Sequence, residues 1–208
     1  MKKSVSSGSR FSLWCGIIGT FGSIAAIVTD IIGIILLDNY DPIGQTISAL
    51  AIGKYGWVQD IGLNLYAIAM VACSLALYSW NLGGLKWKIG SILLGLLGID
   101  IIIIAEYDRY AGQGGMGSAI HLYCVYALGI LFTAITLLLA FGLRKIGRNW
   151  YRYSLGTSIF WLVLAPIFFV APNSLNGAYE RFLSLITLAW VTAISLLLIK
   201  RGRGQFSK

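Results

Sequence analysis

Apolar residues in this chain fall into long unbroken runs separated by short polar stretches, with no strict alternation of apolar and polar positions. Six runs stand out, at about residues 11–37, 57–79, 89–106, 119–143, 153–170 and 178–199. A helix needs about 17–25 apolar residues to cross the hydrocarbon core of a bilayer, and each run meets that length. A helix also satisfies its own backbone hydrogen bonds where no water is present. Without the period-two pattern of lipid-facing strands, an outer-membrane barrel is not supported. The expected fold is all-α: a polytopic membrane protein over residues 1–208, one domain made of a bundle of six transmembrane helices.

Composition agrees with the pattern. The apolar set supplies 58% of the 208 residues and charged residues only 12%, about half the share of a soluble domain. Mean hydropathy is +0.80. Six spans of about 20 residues leave room for loops and tails, but not for an appended soluble or nucleotide-binding domain. The three cysteines, Cys15, Cys73 and Cys124, all lie inside apolar runs, which fits buried filler better than a disulfide framework. The start, Met1-Lys2-Lys3 ahead of an apolar run, has the outline of a signal peptide. That run outlasts the roughly 7–15 residues of a signal core, so it is expected to remain as the first span.

Net charge is +8, which in a soluble protein would suggest nucleic acid. Its placement argues otherwise. Lys2, Lys3 and Arg10 precede the first run, Lys86 and Lys88 follow the second, Arg144, Lys145, Arg148 and Arg152 follow the fourth, and Lys200, Arg201, Arg203 and Lys208 follow the sixth. These 13 basic residues fall on one side, against Lys54, Arg109 and Arg181 on the other. Cytoplasmic loops carry the basic excess, so both termini are expected in the cytoplasm and the protein in a plasma membrane. The partner implied is the lipid bilayer, not nucleic acid. Trp57, Trp80, Trp87, Trp150 and Tyr153 sit near run ends, where amphipathic rings favour the interface. Gly16, Gly19 and Gly22, and Ser91, Gly95 and Gly98, form small-residue surfaces suited to close helix contact within the bundle.

All eight acidic residues fall on the outer side or in the outer half of a span. At 1.5 Å per residue, Asp30, Asn64 and Asp100 lie about 10 Å below that surface, on three different spans. Asp60, Glu106, Asp108, Arg109, His121, Glu180 and Arg181 lie above them. Ionisable groups within a membrane are costly and usually face the bundle interior. The candidate pocket is therefore Asp30, Asp60, Asn64, Asp100, Glu106, Asp108, His121, Glu180 and Arg181, opening outward. Glu180 and Arg181 are adjacent and point to different helix faces, so Arg181 is expected to pair with an acid on another span, Asp108 or Glu106.

Specific chemistries narrow the reading. A single histidine excludes a di-haem carrier, and no metal-ligand set or cofactor motif is present. Ser48 or Ser118 could form a relay with His121 and Asp108, although no nucleophile motif frames either serine. Residues 112–117, Gly-Gln-Gly-Gly-Met-Gly, lack the Lys-Ser/Thr of a phosphate loop and suit a flexible connection capped by Ser118. Residues 38–56 are too polar to span, and with Ile43, Ile47 and Leu50 they are expected to lie along the outer interface as a short helix capping the bundle.

Three stretches bear a family resemblance. Tyr40-Asp41-Pro42-Ile43 through Ile47-Ser48-Ala49-Leu50 to Tyr55-Gly56-Trp57 is one. The connection holding Asp108, Gly117 and His121 is another, and Gly177-Ala178-Tyr179-Glu180-Arg181 opens the last span. Together they resemble the domain of unknown function 998 family, which implies a prokaryotic six-span membrane protein and no particular activity. Three functions stay open on the residues: binding or transport of a lipid headgroup, cation or proton; a membrane-embedded hydrolase or transferase using Asp108 and His121; and an accessory subunit whose polar layer fixes helix packing.

Overall fold

The computed structural model describes residues 7–205. Lys2, Lys3 and Lys208, which contribute to the charge asymmetry, lie outside that range. Six helices are long and apolar enough to cross a membrane. They are α1 (Ser7–Leu36), α2 (Gly56–Trp80), α3 (Gly84–Tyr107), α4 (Gly115–Leu143), α5 (Arg148–Leu164) and α6 (Asn176–Gly202), joined by four short 3₁₀ turns. Among the described residues, regular structure is helical throughout.

Several helices begin a turn before the apolar runs do, because polar interface residues such as Arg148 and Asn149 are already helical. The fifth run differs most. The sequence predicts a span to residue 170, but α5 stops at Leu164 and a 3₁₀ turn, Ala165–Phe169, follows. Pro166 lies at the start of that turn, and its ring cannot continue an α-helical hydrogen-bond ladder. Helix α4 starts with Gly114 as N-cap and no side-chain cap bond, so Ser118 stands inside the first turn and not at the cap.

The helices form a ring. Helix α1 packs between α6 and α2, α2 between α1 and α3, α3 against α4, and α4 against α5, while α5 leans more loosely on α6. Arg201 donates to Ser12 Oγ at 2.8 Å, so the start of α1 and the end of α6 share one end of the bundle. The opposite end is the distal end.

Small residues set the tightest seams. A methyl group on Gly19 would strike Ser195 and Cys73, and one on Gly22 would strike the Leu65 carbonyl and Ala69. Gly95 and Gly98 meet Ser74 and the Ala67 carbonyl in the same way. Both small-residue surfaces are thus used inside the bundle, where close backbone approach replaces the hydrophobic drive that lipid cannot supply. Ser74 Oγ donates to Ser91 O at 2.6 Å, and Cys73 Sγ lies 3.3 Å from Ser195 Oγ. Trp87 corrects an expectation. It is fully buried rather than interfacial, with Nε1 donating to Leu77 O at 2.6 Å, whereas Trp57 is 59% exposed.

The segment between α1 and α2 folds over the distal end as a cap. Its 3₁₀ turn, Ile47–Ala51, buries Ser48, Leu50 and Ala51, and Leu50 packs on Gly33. The loose α5–α6 seam and this cap together enclose the space in which the polar residues meet.

Candidate functional site

Below the cap lies a cavity of about 1180 Å³. Its wall is mostly apolar and comes from all six helices. An aromatic cluster underlies it, with Phe132 4.9 Å from Trp161 and 5.8 Å from Trp190 between ring centroids. Ile130, Leu162 and Leu185 line the cavity and are also exposed on the apolar flank of the bundle. The cavity therefore communicates with the surface that acyl chains would cover.

Arg181 enters the wall from α6 and fixes the cap. Its Nε and Nη2 donate to the two carboxylate oxygens of Asp30, each at 3.1 Å. Nη2 also donates to Tyr40 Oη at 2.8 Å, and Nη1 reaches the carbonyls of Pro42 at 2.9 Å and Gln45 at 3.1 Å. A planar guanidinium has five donors in a fixed fork, which suits it to holding a carboxylate and a loop backbone together. Tyr40 Oη in turn has the carbonyls of Gln45 and Thr46 at 2.9 and 2.7 Å as acceptors. Burial pushes the Tyr40 phenol above its ordinary pKa, and Arg181 opposes that shift. The acid on another span that Arg181 meets is Asp30, rather than Asp108 or Glu106. The Pro42 and Gln45 carbonyls of the cap hold Nη1 while Nε and Nη2 meet Asp30 of α1.

Glu180 points elsewhere, as adjacency on a helix requires. Its Oε2 accepts the Ile47 N–H at 2.7 Å, clamping the start of the 3₁₀ turn. The next residue is Ser48. Its Oγ lies 3.3 Å from His121 Nε2. On the other side of the ring, His121 Nδ1 lies 3.1 Å from Asp108 Oδ1, an ion-pair distance without hydrogen-bond alignment. Ser48, Asp108 and His121 are 6%, 1% and 8% exposed, so what they touch decides what they do. All three line the cavity.

Asp30, Asp108, His121, Glu180 and Arg181 thus converge on one wall. The other expected residues do not. Asn64 Nδ2 donates to the Asp60 carbonyl on its own helix at 2.8 Å. Asp60 is half-buried with Oδ1 unpartnered, and Glu106 is exposed. Asp100 is buried beside Cys124 with Oδ2 unpartnered. Equal depth along three helices does not amount to a shared face, and the deep layer is dispersed. Among the described residues, no three His, Cys, Asp or Glu side chains group as metal ligands.

Two wall residues escaped the sequence reading. Gln59 and Tyr66 are 2% and 4% exposed and line the cavity; Gln59 Oε1 has no hydrogen-bond partner among the described residues, and Tyr66 Oη lies beside Thr187. They are seven residues apart on α2, two helical turns, with Leu63 between them on the same face. An intramembrane Gln at that spacing from a Tyr was the available signal.

The chain matches the family described as "Protein of unknown function (DUF998)" over residues 20–197. It belongs to that family. The DUF998 match runs from within α1 almost to the end of α6 and so includes the cap, the cavity wall and the Ser48–His121–Asp108 contact. No curated protein and no solved structure matches the chain.

Proposed function

We propose that this DUF998 protein binds an amphiphile, with its polar group against the cap and its acyl portion in the cavity and the adjoining bilayer. One observation carries the reading. A cavity larger than the roughly 300–1,000 Å³ typical of small-molecule sites opens on the lipid-facing flank. At its wall, Gln59 Oε1 is buried with no hydrogen-bond partner among the described residues. Native structures leave few such atoms unpaired, so it is a group a ligand would satisfy.

A lipid fits this wall better than a simple cation. Arg181 already neutralises Asp30, and Asp60, Asn64, Asp100 and Glu106 stand off the cavity. By the charge asymmetry, the distal end faces away from the cytoplasm, and the ligand is a lipid of the outer leaflet of a prokaryotic plasma membrane.

The test is native mass spectrometry of the full chain in mild detergent, comparing wild type with Gly129→Phe. Gly129 lines the cavity, and a side chain built there meets open space, so the substitution fills the pocket without straining the helices. Wild type should carry about one retained lipid per chain and Gly129→Phe should lose most of it. Equal retention by both would place the lipid elsewhere and overturn the reading.

A further inference from the structure

The geometry points to a second property of the same cavity: Ser48 is an acyl-accepting nucleophile, and the protein cleaves or transfers long-chain acyl esters. This inference rests on the amphiphile-binding reading and adds chemistry to it.

Ser48 Oγ lies 3.3 Å from His121 Nε2, and Asp108 Oδ1 lies 3.1 Å from Nδ1 on the other side of the ring. They come from three separate stretches: the cap, the 3₁₀ turn that follows α3 and the first turns of α4. Nucleophile, base and orienting acid in contact define this class of chemistry by geometry and not by sequence order. A purely structural contact would serve equally well on a sealed surface, but these three groups line a lipid-sized space. Glu180 is a positioning residue. By accepting the Ile47 N–H it fixes the backbone one residue before the nucleophile.

The step balances without a further reagent. Ser48 Oγ attacks the ester carbonyl carbon while its proton passes to His121 Nε2, and Asp108 faces the Nδ1 side of the resulting imidazolium. The carbon–oxygen bond of the ester breaks, and His121 returns the proton to the departing alcohol. Water, or the hydroxyl of a second lipid, then attacks the acyl-Ser48 carbonyl, giving its proton to His121. The bond to Ser48 breaks, the proton returns to Oγ, and a carboxylic acid or a new ester leaves. The apolar wall selects a long acyl chain over a short one.

The probe is a hexadecyl fluorophosphonate, applied to the full chain in lipid nanodiscs and read by intact mass and peptide mapping. Ser48 Oγ would bond to phosphorus as the phosphorus–fluorine bond breaks, releasing fluoride and leaving the proton on His121. A single adduct at Ser48 is expected, forming much faster than with an ethyl fluorophosphonate. Ser48→Ala should abolish it. His121→Gln should slow it by about 100-fold or more, as loss of a general base does. Asp108→Asn should also slow it, while Ser118→Ala should label like wild type.

Lipid retention is measured on the same preparations. Retained lipid with no adduct at Ser48, or an adduct rate indifferent to His121→Gln, would overturn the nucleophile and leave the binding reading intact. Neither lipid nor adduct would overturn both. Ser48→Ala and His121→Gln that keep wild-type lipid retention are folded, so their loss of labelling reports chemistry.

Discussion

Arg181 holds Asp30 through two parallel contacts of 3.1 Å, and in doing so joins the last helix to the first and to the cap that bridges to the second. Both partners are largely shielded from solvent, with side-chain exposures of 16% and 19%. Removing one partner of such a pair leaves an uncompensated charge, typically at about 3–5 kcal/mol. Arg181→Ala and Asp30→Ala should therefore both lower the thermal midpoint in detergent strongly. Lys54→Ala, at an exposed position of the same end, should change stability by less than about 0.5 kcal/mol. Arg181→Lys should recover little, because an ammonium cannot make both carboxylate contacts and reach two carbonyls. Similar small shifts in all four variants would show that the pair is a solvated rim contact.

Helix packing gives a second prediction. Gly19 meets Ser195 and Cys73 at a distance no side chain allows, whereas a methyl group on Gly156 would meet nothing. Gly19→Val should overpack the α1–α6–α2 seam and destabilise by about 1–3 kcal/mol or more. Gly156→Ala, inside α5, should be neutral or stabilise by up to about 1 kcal/mol through helix propensity. Melting curves of both variants in one detergent check the contrast, and a Gly19→Val protein as stable as wild type would refute the seam.

Orientation is tested separately. With the start of α1 and the end of α6 at the end rich in basic residues, Gly114→Cys in the α3–α4 connection should react with a membrane-impermeant maleimide added outside intact cells. Arg148→Cys at the start of α5 should react only after permeabilisation. The comparison is made in a background with Cys15, Cys73 and Cys124 replaced by Ala. The reverse pattern would turn the cavity toward the cytoplasm.

The bundle was legible because a bilayer imposes a length and a polarity that show in any window of sequence. The cap followed from the same rule, whereas the helix starts and the end of α5 at Leu164 did not, because polar interface residues join the helices and Pro166 interrupts the fifth run. Lateral relations were less visible. Asp30, Asn64 and Asp100 share a depth, yet their side chains go to an arginine, to the helix's own backbone and to the neighbourhood of a cysteine. Depth follows from residue counting, but the facing of each helix depends on packing by glycines such as Gly19 and Gly98. Trp87 misled for a related reason. Its position near a helix end suggested the interface, while a nearby carbonyl and the small Gly142 gave its ring a buried berth. The contact among Ser48, His121 and Asp108 was visible as a set of residue types. Choosing Ser48 over Ser118 required knowing that the cap folds inward.

Coupling between polar residues tests the revised map most directly. Helix α2 stands between α1 and α3, so Asp30 and Asp100 belong to different seams and share no partner. Asp30→Asn and Asp100→Asn should therefore act independently, with the double variant's stability loss matching the combined single losses to within about 0.3–0.5 kcal/mol. Asp108 and His121 are in direct contact. Once Asp108→Asn has removed the charge facing the imidazole, His121→Gln has less left to disrupt, so this pair should depart from additivity by about 0.5–3 kcal/mol. Denaturation of all six variants in one detergent yields both cycles. Strong coupling between Asp30 and Asp100 would mean that the deep layer is one network after all. Additivity between Asp108 and His121 would mean that the contact between them does not form, and the nucleophile proposed at Ser48 would lose its orienting acid.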